Sequence, residues 1–278
     1  MKTWKKIVLG VSLTSLFLGG GLVAWGYSQG GLTDLQNKTI SEQDYVKKEV
    51  KDFNKIDIKS SSYNVLIKNG EVDKATLSYY QKTKNPIDTS VKDGQLTIND
   101  NNSELDSTSN KHINFFGLKD LVRLSTLNKE VRNKTIVITL PKKQTIDFLK
   151  VDLATGNLDL SNSTIKQADI NLNVGDLTFT KMIVSNLKAN LDVGSVDSDH
   201  TLFTNSDLSI AMGDYSGDNL IFNGHNKLDV TSGDIEIVLK DYTLNVQADS
   251  HSGEVDITNN LKISKDNTLT ITSDLGDI

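Results

Sequence analysis

Glycine recurs at positions 156, 175, 194, 213, 233, 253 and 276, with gaps of 19, 19, 19, 20, 20 and 23 residues. A period near 20 residues marks a solenoid, in which each turn of the chain stacks on the one before. The apolar residues hold fixed places around these glycines. Val151 and Leu153 precede Gly156, and Leu158 and Leu160 follow it. Ile170, Leu172, Leu177 and Phe179 repeat the pattern around Gly175, as do Leu228, Val230, Ile235 and Ile237 around Gly233. The apolar offsets are odd before the glycine and even after it. A straight strand alternates its faces, so one buried face survives that change of parity only if the chain turns at the glycine. Glycine suits such a corner because it adopts left-handed backbone angles without steric cost. Each unit is therefore expected to be one coil of two short strands meeting at Gly156, Gly175, Gly194, Gly213, Gly233, Gly253 or Gly276. The later units are looser, with Ala248 then Val255 and Ile257, and Ile271 then Ile278.

A narrow stack needs only small and medium aliphatic residues inside, which fits a chain of 278 residues that is 37% hydrophobic and 6% aromatic. The absence of cysteine removes disulfides, thiolate catalysis and cysteine metal sites. The expected fold is all-β: a single-stranded β-solenoid with coils of about 20 residues, an irregular β-rich N-terminal cap and an N-terminal transmembrane helix.

Four segments are expected. Residues 1–29 form a membrane anchor: Lys5 and Lys6 precede an uncharged run from Ile7 to Tyr27, with Trp25 and Tyr27 placed as interface aromatics. Retained lysines would leave the remainder outside the cell, on the surface of a single-pass membrane protein; cleavage as a signal peptide, with secretion, is the alternative. Residues 30–53 read as a polar spacer with room for a short helix. Residues 54–148 alternate in hydrophobicity without a glycine register and form the cap or the first irregular coils. Within them Asn101 to Asn110 reads as a surface loop and the stretch from Gly117 to Asn133 as a weak helical turn. Residues 149–278 are the regular solenoid. Because the chain stops just after Gly276, its last coil reads as half written, with an open C-terminal edge for self-association.

From Thr135 onward, "TIVITLPKKQTIDFLKVDLATGNLDLSN" followed by "SGDIEI"-type units resembles a bacterial adhesin-type domain family of unknown function that includes the LiaG-like proteins. The likeness covers about residues 53–278. The resemblance implies a membrane segment, an extracytoplasmic β-solenoid and association with envelope-stress systems of Gram-positive bacteria. The pattern breaks at Asn157, Ser195 and Glu254, where the residue after the corner glycine is not aspartate, so a ladder of identical side chains is expected to be discontinuous.

The charge is uneven. Residues 1–148 hold 22 Lys and Arg against 16 Asp and Glu, whereas residues 149–278 hold 8 against 20. An acidic repeat argues against nucleic acid and for a cationic partner, with plain solubility as the simpler reading. The aspartates after the corners, Asp176, Asp214, Asp234 and Asp277, raise the question of calcium between Asp214 and Asp234, the two in adjacent units. Aspartate beside glycine is also ordinary turn chemistry. Catalysis has little to stand on. Arg123 and Arg132 precede the repeat, and His112, His200, His225 and His251 follow no catalytic spacing. Tyr79, Tyr80, Phe115 and Phe116 read as packing residues rather than a sugar platform. The expected role is non-catalytic interaction at the cell envelope, with no cofactor and no resident metal. A polysaccharide-active enzyme and a self-associating scaffold are the alternatives.

Overall fold

The structure, a computed structural model, describes residues 43–82, 86–100, 134–240, 243–257 and 261–278. The anchor residues Lys5, Lys6, Ile7, Trp25 and Tyr27 lie outside them, as do the loop at 101–110, the helical turn at 117–133, His112, both arginines, Phe115 and Phe116. The described residues are strands and turns. None of their segments is a helix long and apolar enough to cross a membrane.

The regular part builds each coil from three strands, not two. The first coil comprises β9 (Phe148–Leu153), β10 (Leu158–Ser161) and β11 (Thr164–Ile165) once eight earlier strands have been laid down: β1 (Gln43–Glu49), β2 (Lys55–Ser60), β3 (Asn64–Gly70), β4 (Thr76–Lys82), β5 (Asp88–Lys92), β6 (Gln95–Asn99), β7 (Thr135–Pro141) and β8 (Thr145–Ile146). The next coils are β12 (Ala168–Val174), β13 (Leu177–Thr180) and β14 (Ile183–Ser185), then β15 (Leu187–Val193), β16 (Val196–Asp199) and β17 (Leu202–Thr204). In the following coil β18 (Asp207–Met212) leads into one long strand, β19 (Tyr215–Asn223), which serves the second and third faces together. The last elements are β20 (His225–Ser232), β21 (Ile235–Leu239), β22 (Asn245–Ser252) and β23 (Thr268–Leu275).

Three parallel ladders form three faces. Face one runs β6-β2-β9-β12-β15-β18-β20-β23-β22, with β5 antiparallel at its end. Face two runs β7-β3-β10-β13-β16-β19-β21, with β4 and then β1 antiparallel beyond β7. Face three runs β8-β11-β14-β17-β19, and all but the last of these strands are two or three residues long. The sequence pattern passed over that face because a strand of two or three residues has room for one inward side chain. Ile146, Ile165, Val184, Phe203 and Phe222 form its column. Phe222 stacks on Phe203 at 5.7 Å between ring centroids, and Phe203 meets Phe179 edge-on at 5.3 Å.

The apolar rows fill one continuous core. Leu149, Val151, Leu158 and Leu160 and their equivalents in the next coil, Ile170, Leu177 and Phe179, are fully buried. Among the buried polar residues, Asn226 is fully bonded. Asn226 accepts from the Ser206 N–H (3.0 Å) and hydroxyl (2.8 Å) and donates to the Asn223 carbonyl (2.9 Å), so its burial leaves no polar atom unmet.

Residues 43–53 depart from the spacer reading. β1 pairs antiparallel with β4, and Val50 and Phe53 are buried. The polar sequence of that strand hid it, since Val46 is the one apolar residue on its core-side row. The stretch 54–148 contains a true coil, β2 with β3, stacked in register on β9 and β10. Its corner falls at Tyr63, which takes no positive φ; Ser60 Oγ receives the Ser62 and Tyr63 N–H groups instead.

Both ends of the stack are interleaved. At the first, the β6–β7 layer lies outside the β2–β3 coil, which lies against β9–β10. At the other, β23 sits between β20 and β22. The corner glycines therefore stack in the order 233, 276, 253 rather than in chain order. Correspondingly, Ile271 is paired on both sides and buried, and the open edge belongs to β22, not to the last strand of the chain.

Candidate interaction face

At the corners the backbone of successive coils comes into contact. Gly156, Gly175, Gly194, Gly213, Gly233 and Gly276 have φ between 141° and 149°. The N–H of Gly194 donates to the Met212 carbonyl one coil on at 2.9 Å, and that of Gly213 to Ser232 at 2.9 Å. A Cβ on Gly194 would stand 1.9 Å from the Gly175 carbonyl oxygen. The residue must be glycine both for its backbone angle and for the space. Gly253 lacks the positive φ yet meets the same crowding, with its Cβ 2.0 Å from the Gly276 oxygen.

The residue after each glycine makes a second column, and its side chain binds the next coil. Asn64 Oδ1 accepts the Asn157 N–H (2.9 Å), Asn157 Oδ1 that of Asp176 (3.0 Å), and Asp176 Oδ1 that of Ser195 (3.0 Å). Ser195 Oγ takes the Asp214 N–H at 3.4 Å, Asp214 Oδ1 that of Asp234 at 2.9 Å, Asp234 Oδ1 that of Asp277 at 3.0 Å, and Asp277 Oδ1 that of Glu254 at 2.9 Å. The side chains are not identical from rung to rung, as expected from sequence, yet the hydrogen bonding is continuous across Asn157 and Ser195. The position requires an acceptor oxygen, which amide and hydroxyl supply as well as carboxylate. Interleaving also adds Asp277 as a rung beside Asp234. Asp214 and Asp234 each use Oδ1 to accept the backbone N–H of the next rung, and the described residues hold no group of three metal-ligating side chains.

The residues before the corner glycines from Gly175 onward pair into a third column: Val174, Val193, Met212, Ser232, Leu275 and Ser252. Val174 and Val193 are half-buried, but Met212 is 55% and Leu275 57% exposed. Asp192, Asp274, Asp214, Asp234 and Asp277 surround them, all exposed. The result is a ridge along one edge of the prism, apolar in the middle except at Ser232 and Ser252, with Asp214, Asp234 and Asp277 on one flank and Asp192 and Asp274 on the other, where Ala211 and Thr231 come between them. Periodicity located the glycines but not the ridge, because these residues differ in type and become a column only through stacking.

The remaining candidates are dispersed. His200 Nδ1 lies 2.6 Å from the Asp199 carboxylate, His225 Nδ1 3.0 Å from Thr268 Oγ1, and His251 is exposed on β22. Tyr79 is a core residue; Tyr80 packs on Tyr45 at 4.8 Å between ring centroids. Asp159 was not foreseen. It lies on face two between Leu66 and Thr178, only 2% exposed, and burial raises its carboxyl to about 6 against the pull of Lys68.

The profile of the family described as Toastrack DUF4097 matches residues 53–278. The chain belongs to this family. The Toastrack match thus covers every complete coil described above and begins just after β1. Solved structures similar to this chain include a protein of Clostridium sporogenes provisionally named for cell adhesion, 17% identical, covering 85% of this chain and 98% of its own at a TM-score of 0.38. Two provisionally named adhesins are similar too. That of Bacteroides fragilis is 16% identical over 85% of this chain and 96% of its own at a TM-score of 0.37. That of Parabacteroides distasonis is 14% identical over 86% and 97% at 0.38. No curated protein matches the chain.

Proposed function

We propose that this Toastrack protein is a membrane-anchored, extracytoplasmic interaction module that holds a cationic protein or peptide surface without turning it over. The ridge carries the reading. Met212 and Leu275, each more than half exposed, share a column with Val174 and Val193, and five aspartates flank it. Apolar area beside a rigid row of carboxylates suits a partner presenting an apolar side chain between lysines or arginines. The charges set approach and register, and the apolar contact sets residence time. The anchor rests on Lys5, Lys6 and the uncharged run from Ile7 to Tyr27. A place in envelope-stress sensing rests on the family resemblance.

The test is a photo-crosslinking residue at Met212 of the full chain in intact cells. Discrete protein adducts are expected, and they should vanish when Asp214 and Asp234 are both changed to Asn, which keeps the corner ladder while removing charge. Equal adducts from the same group at Lys188, on the middle of face one, would overturn the assignment to the ridge. Turnover of envelope glycans by the purified chain would replace it with an enzyme.

A further inference from the structure

The two ends of the stack are finished differently. At the β1 end, the row that faces the core carries Asp44, Val46 and Lys48, opposite Gln81, Tyr79 and Leu77 of β4. Charges on that row make the edge a poor template for another strand. Lys48 also reaches across the end of the core and donates to Thr89 Oγ1 on β5, tying face two to face one.

At the other end, β22 presents Val246, Ala248 and Ser250 on its core-side row, opposite Leu269, Ile271 and Ser273 of β23. All three are half-exposed, and no described strand lies on their far side. Below them Val255 is 38% and Ile257 51% exposed. Val246, Ala248, Ile257 and Leu261 line a cavity of about 100 Å³ that opens onto Leu269 and Ile271. This end thus has an unpaired edge, an uncharged core-side row and a cavity lined by apolar side chains and one carboxylate, Asp256.

We infer that two copies of the chain join end to end through β22, paired antiparallel about a twofold axis at Gln247. A twofold contact presents the same surface from both copies, so the strand must complement itself. Core-side residues must oppose core-side residues, which leaves few registers. An axis at Asp249 sets two carboxylates against each other, and an axis at Ala248 sets Val246 against Ser250. The axis at Gln247 sets Val246 against the second copy's Ala248 on both sides and puts the neutral Asn245 opposite Asp249. Like charges are kept apart, and the two open cores cover one another. The twofold contact uses the β22 edge of both copies, so the assembly closes at two.

The chain has no cysteine, so one introduced thiol reports unambiguously. In antiparallel pairing a residue on the axis faces itself at a Cα separation of about 4.5–5.5 Å, within disulfide reach. The full chain carrying Gln247→Cys, in detergent under mild oxidation, should become mainly a covalent dimer. Lys227→Cys, on the same outward row two strands inward, should stay uncrosslinked. By sedimentation the unmodified chain should show a dimer mass that shifts to monomer in Ala248→Lys, a variant of a half-exposed edge residue. A monomeric unmodified chain, a dimer untouched by Ala248→Lys, or equal crosslinking of both cysteines would each overturn the inference.

Discussion

The residue after a corner glycine ends the backbone of one coil and begins the bonding of the next. Asp176 illustrates its value, since it is the acceptor for the Ser195 N–H. Asp176→Ala should lower stability by about 1–2 kcal/mol in urea unfolding, whereas Asp176→Asn should stay within about 0.5 kcal/mol, as Asn157 already fills the same role. Asp159 behaves oppositely, because its surroundings disfavour the charge. Its folded value of about 6 exceeds the ordinary 3.8. The native state therefore keeps a proton that the unfolded chain has lost over that interval, and the associated stability is full below the lower value and lost as pH rises through the upper. Asp159→Asn should be more stable than the unmodified chain by about 2–3 kcal/mol at pH 7.5 and no more stable near pH 3.5, as read by paired thermal melts. The corner glycines could be read from spacing alone. Asp159 could not: nothing in "NLDLSN" distinguishes a buried carboxylate from an exposed one, since its burial depends on neighbouring strands.

Parallel stacking in register sets each residue beside its equivalent in the next coil, so a perfect repeat would stack like charges. Face one avoids this by alternation. Asp57, Lys150, Asp169, Lys188, Asp207 and Lys227 occupy one outward column in strand order. The adjoining column carries an amide relay, in which Asn190 donates to Asn171 and Asn171 to Asp152, each at 2.9 Å. Asp169→Lys would set three lysines on consecutive strands. It should cost about 0.5–1 kcal/mol in dilute buffer, with most of the loss recovered in about 0.5 M salt, measured as the shift in urea midpoint. The other two corners also have a period. Asn162, Lys181, His200 and Asn219 take φ between 49° and 55°, and Asn186, Asn205 and Gly224 take 48° to 66°. Their 19-residue spacing was present in the sequence but concealed by changing residue types. Asparagine, the non-glycine residue best suited to that conformation, was the available sign.

At the scale of the molecule the order of layers separates from the order of the chain at both ends. Leu269 and Ile271 of β23 are 2% and 5% exposed, while Val246 and Ala248 of β22 remain half-exposed outside them. Interleaving places the strand with the larger apolar row against the core and leaves the poorer one at solvent, which is the arrangement that buries more apolar surface. The acidic composition of residues 149–278 likewise acquires meaning only once stacked, as a line of carboxylates beside Met212 and Leu275 on the corner ridge. The 20-residue coil, its glycine corner and the inward rows are legible in the amino acids alone, because each depends on residues within one turn of chain and on the two-residue period of a strand. Which coil neighbours which, where the open edge lies and which side chains meet on the ridge follow from packing between distant layers. In-register parallel pairing accepts any strand of matching row, so that choice falls to burial compared across distant layers.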